Sequence, residues 1–421
     1  MTLKFYFLKK IEKVFIFLEN KIKIDIRYFL KNGSWIFFRQ IIVICCNFAV
    51  IVIFTRFATQ EIYGEYQFIL AVFGILSIFS LPGFNAAIVK VAAKGIHGNY
   101  KESIHLSFIW CFLAIPVSFL IGCYFLYLEN VTLAVTLMIC SILSPFFYGL
   151  NSWEFFLQGQ SKFSLVAKYS IVQAIVNALA TIIVLLIQQN NIILISIVYF
   201  FSNSLFNIFY YLKSLKYVNN QKKSNSIIKY GFFLTKINII GIIAAHIDKI
   251  CIGLFLSSSQ LAIYSIGILF TSKLNEVSKS MLWVTVPKQI KSKILPRIIY
   301  VKLFIISTMV MLIGLFFIQL IIPLIFTEKY TSSIFLSIIS MIFYPFFIVL
   351  IVYKDQIIFN ENKIILTKES IITPIVKILL VIILLPVFKI AGLAFIYGFQ
   401  YLLSLLILLY LDNKKTFFKP T

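Results

Sequence analysis

The chain has 421 residues, 61% of them hydrophobic and only 13% charged, with a mean hydropathy of +0.98. Soluble domains run at about 45–50% apolar and about 25% charged, so a soluble protein is excluded and an all-α integral membrane protein is expected. The formal net charge of +23 would point to nucleic acid in a soluble chain; here it is read as a topology signal, with no nucleic-acid partner. Cys45, Cys46, Cys111, Cys123, Cys140 and Cys251 all fall in apolar runs without a CxxC pair, which implies neither a disulfide framework nor a metal site.

Residues 1–33 are basic throughout. Leu3, Phe7, Ile11, Val14, Leu18 and Ile22 recur at helical spacing with Lys9, Lys10 and Lys13 between them, which predicts an interfacial amphipathic helix on anionic lipid and not a cleavable signal peptide. Apolar runs follow at 34–57, 66–81, 104–127, 131–150, 163–187, 192–212, 230–256, 261–286, 301–326, 332–352, 366–387 and 390–411. All but the 16-residue run 66–81 reach the roughly 20 residues of a membrane helix. The expected architecture is about 12 transmembrane helices in two six-helix bundles around a central cavity. The bundles occupy 34–212 and 230–411, joined by a cytoplasmic linker at 213–229 and followed by a cytoplasmic tail at 412–421.

Every second connection is basic. Under this assignment 29 Lys and Arg lie on one side, only Arg56, Lys329 and Lys389 on the other, and 6 within spans. The basic side is therefore expected to be cytoplasmic, with both termini there, as in a multi-pass protein of the bacterial inner membrane. Trp35, Trp153 and Trp283 fall near the predicted inner interface. The outer connections are short, so there is no place for the extracytoplasmic domain that a polysaccharide polymerase or ligase would use. No glycine loop of the GxxxxGK[ST] kind is present, which argues against ATP hydrolysis.

The segment Phe57 to Tyr66 and the segment Phe255 to Tyr264 both hold Phe and Tyr nine apart, with Gly64 or Ala262 two before the Tyr, at an offset of 198 residues; Lys168 and Lys368 are offset by 200. Equal span counts and these offsets predict two like-oriented halves, as in duplicated transporters. Pro116, Pro145, Pro323, Pro345, Pro374 and Pro386 are the candidate bends.

An ionisable side chain at mid-span costs about 2.5–3.5 kcal/mol on insertion scales, so it usually meets a partner or a wet cavity. Arg39 lies in span 1; Lys236, His246, Asp248 and Lys249 in span 7; Lys273, Glu276 and Lys279 in span 8; Lys377 in span 11. Depth at 1.5 Å per residue places Asp248 and Lys273 near the midplane, Arg39 and Lys236 in the inner leaflet. Two readings stand: ion pairs such as Lys273 with Glu276 that only fix packing, or a cationic cavity for a phosphate or acidic sugar, with Asp248 or Glu276 coupling transport to H⁺ or Na⁺. No other cofactor is expected.

Several of these stretches resemble a known family. Thr55-Arg56-Phe57 through Tyr63-Gly64-Glu65-Tyr66, then Leu81-Pro82-Gly83-Phe84, Ala245 to Ile250, Tyr264 and Pro287 are similar to the Wzx-type O-antigen and capsule flippases. Those proteins belong to the multidrug, oligosaccharidyl-lipid and polysaccharide exporter superfamily. The resemblance implies a non-enzymatic transporter for polysaccharide or lipopolysaccharide biosynthesis. It would turn an undecaprenyl-pyrophosphate-linked oligosaccharide from the cytoplasmic to the periplasmic leaflet by alternating access, alongside glycosyltransferases and a polymerase. It also implies cavity cations, for which Arg39, Lys249 and Lys273 occupy comparable helices. Lys377 is added from depth alone, and Lys236 completes the set of substrate-binding candidates. A multidrug exporter or a lipid II flippase of the same superfamily, or a polymerase or ligase, are the alternatives.

Overall fold

The computed structural model describes residues 26–224, 226–282, 296–359 and 363–412. The amphipathic segment 3–22, Trp283, Pro287 and the tail beyond 412 lie outside the described residues. Span 1 is α1 (Ile26–Phe57), and span 2 joins α2 (Gln60–Leu76), a 3-10 turn (Ser77–Ser80) and α3 (Gly83–Ala93). Span 3 is α4 (Gly98–Cys111) with α5 (Ala114–Tyr127); span 4 is α6 (Val131–Ser144), a π turn (Pro145–Gly149) and α7 (Trp153–Gly159). Spans 5 and 6 are α8 (Phe163–Ile187) and α9 (Ile192–Leu215).

Spans 7, 8 and 9 are α10 (Ser226–Phe255), α11 (Ser258–Leu282) and α12 (Arg297–Phe326). Span 10 is α13 (Ser333–Met341) with α14 (Tyr344–Phe359), and spans 11 and 12 are the two arms of α15 (Lys363–Leu411). Ten helices among the described residues are long and apolar enough to cross a membrane. Two facts turn ten into the expected twelve passes. Lys389, at φ 50° and ψ −136°, divides α15, at the turn expected around 388–391. The polar stripe of α11 keeps its 25 residues below the hydropathy of an ordinary span.

Span 2 begins at Gln60, six residues before the expected 66, because Thr59 caps it. The Thr59 side chain accepts from the Ile62 amide, satisfying one of the orphan N–H groups of the first turn. Asn130 and Asn191 do the same for α6 and α9 through Leu133 and Leu194, so the connections at this end of the molecule can be short. The same span breaks at Leu81, whose positive φ of 54° is uncommon for a branched residue, then resumes at Gly83. The Gly83 amide donates to Thr235 Oγ1 at 3.1 Å, locking spans 2 and 7 together. A Cβ on Gly83 would sit 2.3 Å from the Thr235 backbone nitrogen.

The packing repeats between spans 1–6 and 7–12. Span 1 lies on span 5 as span 7 lies on α15, span 3 on span 4 as span 9 on span 10, and span 4 on span 6 as span 10 on α15. Pro145 opens the π turn of span 4, and Pro345, 200 residues later, follows the break in span 10 between Met341 and Tyr344. Each proline removes one helical hydrogen bond, so the two halves bend at equivalent points. Trp153 differs from its expected place at the interface: it is 2% exposed, and its indole N–H donates to Asn207 Oδ1 at 3.2 Å. It is a core residue, drawn inward by a buried partner for its donor. All six cysteines are free thiols, with Cys111, Cys140 and Cys251 buried.

Candidate functional site

Four helices bring polar groups together between the two halves. On α10, Asp248 is 2% exposed; its Oδ1 accepts the Lys249 amide at 2.9 Å and its Oδ2 accepts the Tyr264 hydroxyl from α11. The Lys249 ammonium donates to Gln67 Oε1 of α2 at 2.8 Å, and Gln67 Nε2 donates to the Tyr63 hydroxyl at 3.0 Å. Span 2 therefore meets span 7 through a charged hydrogen bond at the middle of the molecule. Such bonds are roughly twice as strong as neutral ones.

On α11, Lys273 and Glu276 pair at 2.9 Å, one helical turn apart, as the first reading of this stripe expected. Asn275 donates to the Tyr401 hydroxyl of α15 at 2.9 Å. Lys377 of α15 is 4% exposed and, among the described residues, makes no hydrogen bond and no ion pair. Its charge lies within electrostatic range of Asp248 and His246, and that of Lys249 within range of Lys273. The His246 ring presses on span 2, where a Cβ on Gly74 would lie 2.4 Å from Nε2.

Of the five cations expected to bind substrate, the structure gathers Lys249, Lys273 and Lys377 and leaves two apart. Arg39 pairs with Glu154 of α7 at 2.6 Å, with its Nε buried and without a partner. Lys236 is exposed and thirteen residues from Lys249 on the same helix, about 20 Å at 1.5 Å per residue. Both expected coupling carboxylates, Asp248 and Glu276, belong to the gathered group. Sequence reasoning missed Gln67 and Tyr63, although a lone amide inside the apolar run of span 2 was a signal, since buried amides between membrane helices usually find partners.

At the end of the molecule that carries few basic residues, the halves are sealed together. Arg56 donates from Nε to the Ile325 carbonyl at 2.9 Å and from Nη2 to the Leu324 carbonyl at 2.8 Å. Those carbonyls end α12, where a cation also meets the negative end of the helix dipole. Gln60 donates to the Lys329 carbonyl at 2.7 Å, Ser259 to Glu61 at 2.8 Å, and the Tyr63 and Tyr330 rings meet edge to face at 6.4 Å. At the basic end, residues 219–224 of the connection between the halves are tied to the turn before α4. The Asn219 amide donates to His97 Nδ1, and Asn99 and Ser224 exchange hydrogen bonds.

This arrangement of helices has counterparts among known proteins. The chain resembles the lipid II flippase MurJ in its inward closed conformation (TM-score 0.60, 15% identity, 91% of this chain and 88% of that one). It resembles the Vibrio cholerae MATE transporter VcmN to a similar degree (TM-score 0.61, 9% identity, 93% and 98% covered). A third likeness is a MOP superfamily transporter from Pyrococcus furiosus described as having a binding pocket of reversed polarity (TM-score 0.56, 13% identity, 90% and 94% covered). At these identities the likeness establishes the fold. No curated protein matches the chain in sequence. Residues 29–288, more than half of the chain, match the family model of the polysaccharide biosynthesis proteins. The chain is thus a member of the polysaccharide biosynthesis protein family, a multi-pass membrane protein with the fold of the MOP superfamily transporters.

Proposed function

We propose that the protein is a flippase that carries a polyprenyl-pyrophosphate-linked oligosaccharide from the cytoplasmic to the periplasmic leaflet of the bacterial inner membrane, for O-antigen or capsule assembly. The observation that carries this reading is Lys377. A buried cation that no hydrogen bond or ion pair answers, with Asp248 reaching it only at longer range, costs free energy, and such a group persists where a visiting anion supplies what the fold withholds. Lys249 and Lys273 stand beside it. Three lysines against Asp248 and Glu276 leave the centre net positive, which suits pyrophosphate and opposes the cationic substrates of a drug exporter.

In this reading the pyrophosphate takes the Lys249 ammonium from Gln67 and meets Lys377 directly, while the polyprenyl tail stays in the bilayer. The seal at Arg56, Gln60 and Glu61 closes the periplasmic side, and opening it as the basic side closes gives alternating access. No bond is made or broken, so the protein acts as a transporter and not as an enzyme. Asp248 and Glu276 are the carboxylates through which a proton or sodium gradient is coupled. Both termini and the 219–224 connection lie in the cytoplasm, and glycosyltransferases and a polymerase work on either side of the step.

The test is transport of a fluorescent undecaprenyl-pyrophosphate-linked oligosaccharide in vesicles, with complementation of a flippase-null strain expressing the chain's own glycan genes. Lys377→Gln and Asp248→Asn are expected to abolish both at matched membrane levels. Full surface polysaccharide from both variants would remove the proposed roles.

A further inference from the structure

Spans 5 and 6 contain no Lys, Arg, Asp or Glu between Lys168 and Lys213, yet they hold a set of amides. Gln173 Nε2 donates to Asn203 Oδ1 at 3.0 Å, Asn203 Nδ2 to the Tyr199 carbonyl at 2.9 Å, and Ser202 Oγ to Asn177 Oδ1 at 2.5 Å. Exposed Phe201, Leu205, Phe209 and Leu212 recur at helical spacing and mark the lipid face of α9. Asn203 stands about 160° around the helix from Leu205, at 100° per residue, and is nonetheless half-buried and not buried. The space it meets is therefore internal.

Tyr199 and Tyr148 are also half-buried. Tyr199 touches Tyr66 at 5.9 Å between ring centroids, and Tyr66 precedes Gln67, the partner of Lys249. Span 6 therefore contacts span 2 one residue along from the group that holds Lys249. Interhelical bonding of spans 5 and 6 explains part of the amide set but not all. Gln173 is half-buried, and its Oε1 makes no hydrogen bond among the described residues and is not sealed from the surface, so it can accept from a ligand.

We infer that this face, Gln173 and Asn203 with Tyr148 and Tyr199, is a subsite for uncharged sugar. It would read hydroxyl and acetamido groups through neutral amides while the opposite half holds the pyrophosphate. The inference rests on the flippase reading and divides the substrate between the halves: charge on spans 7, 8 and 11, glycan on spans 5 and 6. Neutral donors and acceptors suit a sugar because its hydroxyls both give and take hydrogen bonds, and tyrosine rings offer a flat apolar face beside a polar edge.

The test compares binding of undecaprenyl pyrophosphate with that of undecaprenyl-pyrophosphoryl-N-acetylglucosamine to the full chain in nanodiscs. The wild type is expected to bind the sugar-bearing lipid about tenfold tighter, the size of two or three modest hydrogen bonds. Gln173→Ala with Asn203→Ala should erase that difference and leave the affinity for undecaprenyl pyrophosphate unchanged. An Asn203→Cys variant should react with a water-soluble maleimide and be protected by the sugar-bearing lipid only. Equal wild-type affinities, a difference that survives the double substitution, or an Asn203→Cys thiol that the sugar-bearing lipid leaves unprotected overturns the inference. Binding of neither lipid by the wild type sinks the flippase reading itself, and this inference with it.

Discussion

Ser259 donates from Oγ to Glu61 Oε1 at 2.8 Å, and the two residues are 198 apart, the offset at which the turn after span 1 repeats after span 7. The duplicated turns meet each other, so one end of the molecule is closed by a repeat packed against its own copy. Gly64 completes the contact. A Cβ there would fall 1.8 Å from the Ser258 carbonyl oxygen, so the approach of span 2 to span 8 is set by backbone against backbone.

Gly64→Ala should therefore oppose closure. It is expected to lower thermal stability in detergent by about 1–3 kcal/mol, the range of an overpacked contact, or to shift the protein toward a form open at this end. Gly241→Ala is the control, because nothing lies within 4 Å of its added Cβ. Alanine should there be neutral or stabilising by about 0.5–1 kcal/mol, as at other helical glycines. Equal effects from both would show that the turn contact does not limit closure.

Arg56→Ala removes two hydrogen bonds that hold span 1 on the last carbonyls of span 9. Because Arg56 is exposed, the loss is discounted to about 1 kcal/mol, or about fivefold in the ratio of closed to open forms. Labelling of a Ser258→Cys thiol by an impermeant reagent added from outside should rise by about that factor in whole cells. An unchanged labelling rate would remove Arg56 from the seal.

Lys377→Met separates structure from function. If the lysine held the fold together, its removal would destabilise. Since it is buried without a hydrogen bond or ion pair among the described residues, methionine should instead raise stability by about 1–3 kcal/mol while transport is lost, the trade-off expected of a functional charge. Thermal melts and vesicle transport on the same preparation decide the matter. A destabilised variant that still transports would count against the assignment.

His97, in the turn at the basic end and outside the spans, gives a pH dependence. Burial and the nearby Lys162 hold its imidazole below the usual histidine range, and Asn219 donates to Nδ1, which must then be unprotonated. With the folded pKa below the unfolded value of about 6.5, the unfolded state takes up the proton first as pH falls. The stabilisation is full above about pH 6.5 and is lost as pH falls through the folded pKa. Melting temperature should drop over that interval, and His97→Gln should flatten the slope.

Much of the fold was legible because a membrane leaves few choices. Apolar run length set the spans, and basic connections set their alternation. The Phe388 to Ala391 turn could be placed because both flanking runs exceed what one span needs. Span 2 was misjudged at its start, since Glu61 and Glu65 lower its hydropathy although Thr59 already caps a helix there. Trp153 was misjudged because its partner Asn207 is 54 residues away.

The same division runs through the site. The sequence by itself determined that Asp248, Lys249, Lys273, Glu276 and Lys377 lie inside apolar helices, because hydropathy and the rise per residue fix depth. Only the tertiary structure decided which of them meet. Arg39 is held by Glu154, Lys236 is left some 20 Å from Lys249 along its helix, Lys249 is held across the halves by Gln67, and Lys377, buried, is left among the described residues without a hydrogen bond or ion pair. Azimuth and the crossing of distant helices settle pairing, and those depend on how ridges, glycines and bends fit between spans that are far apart in the chain.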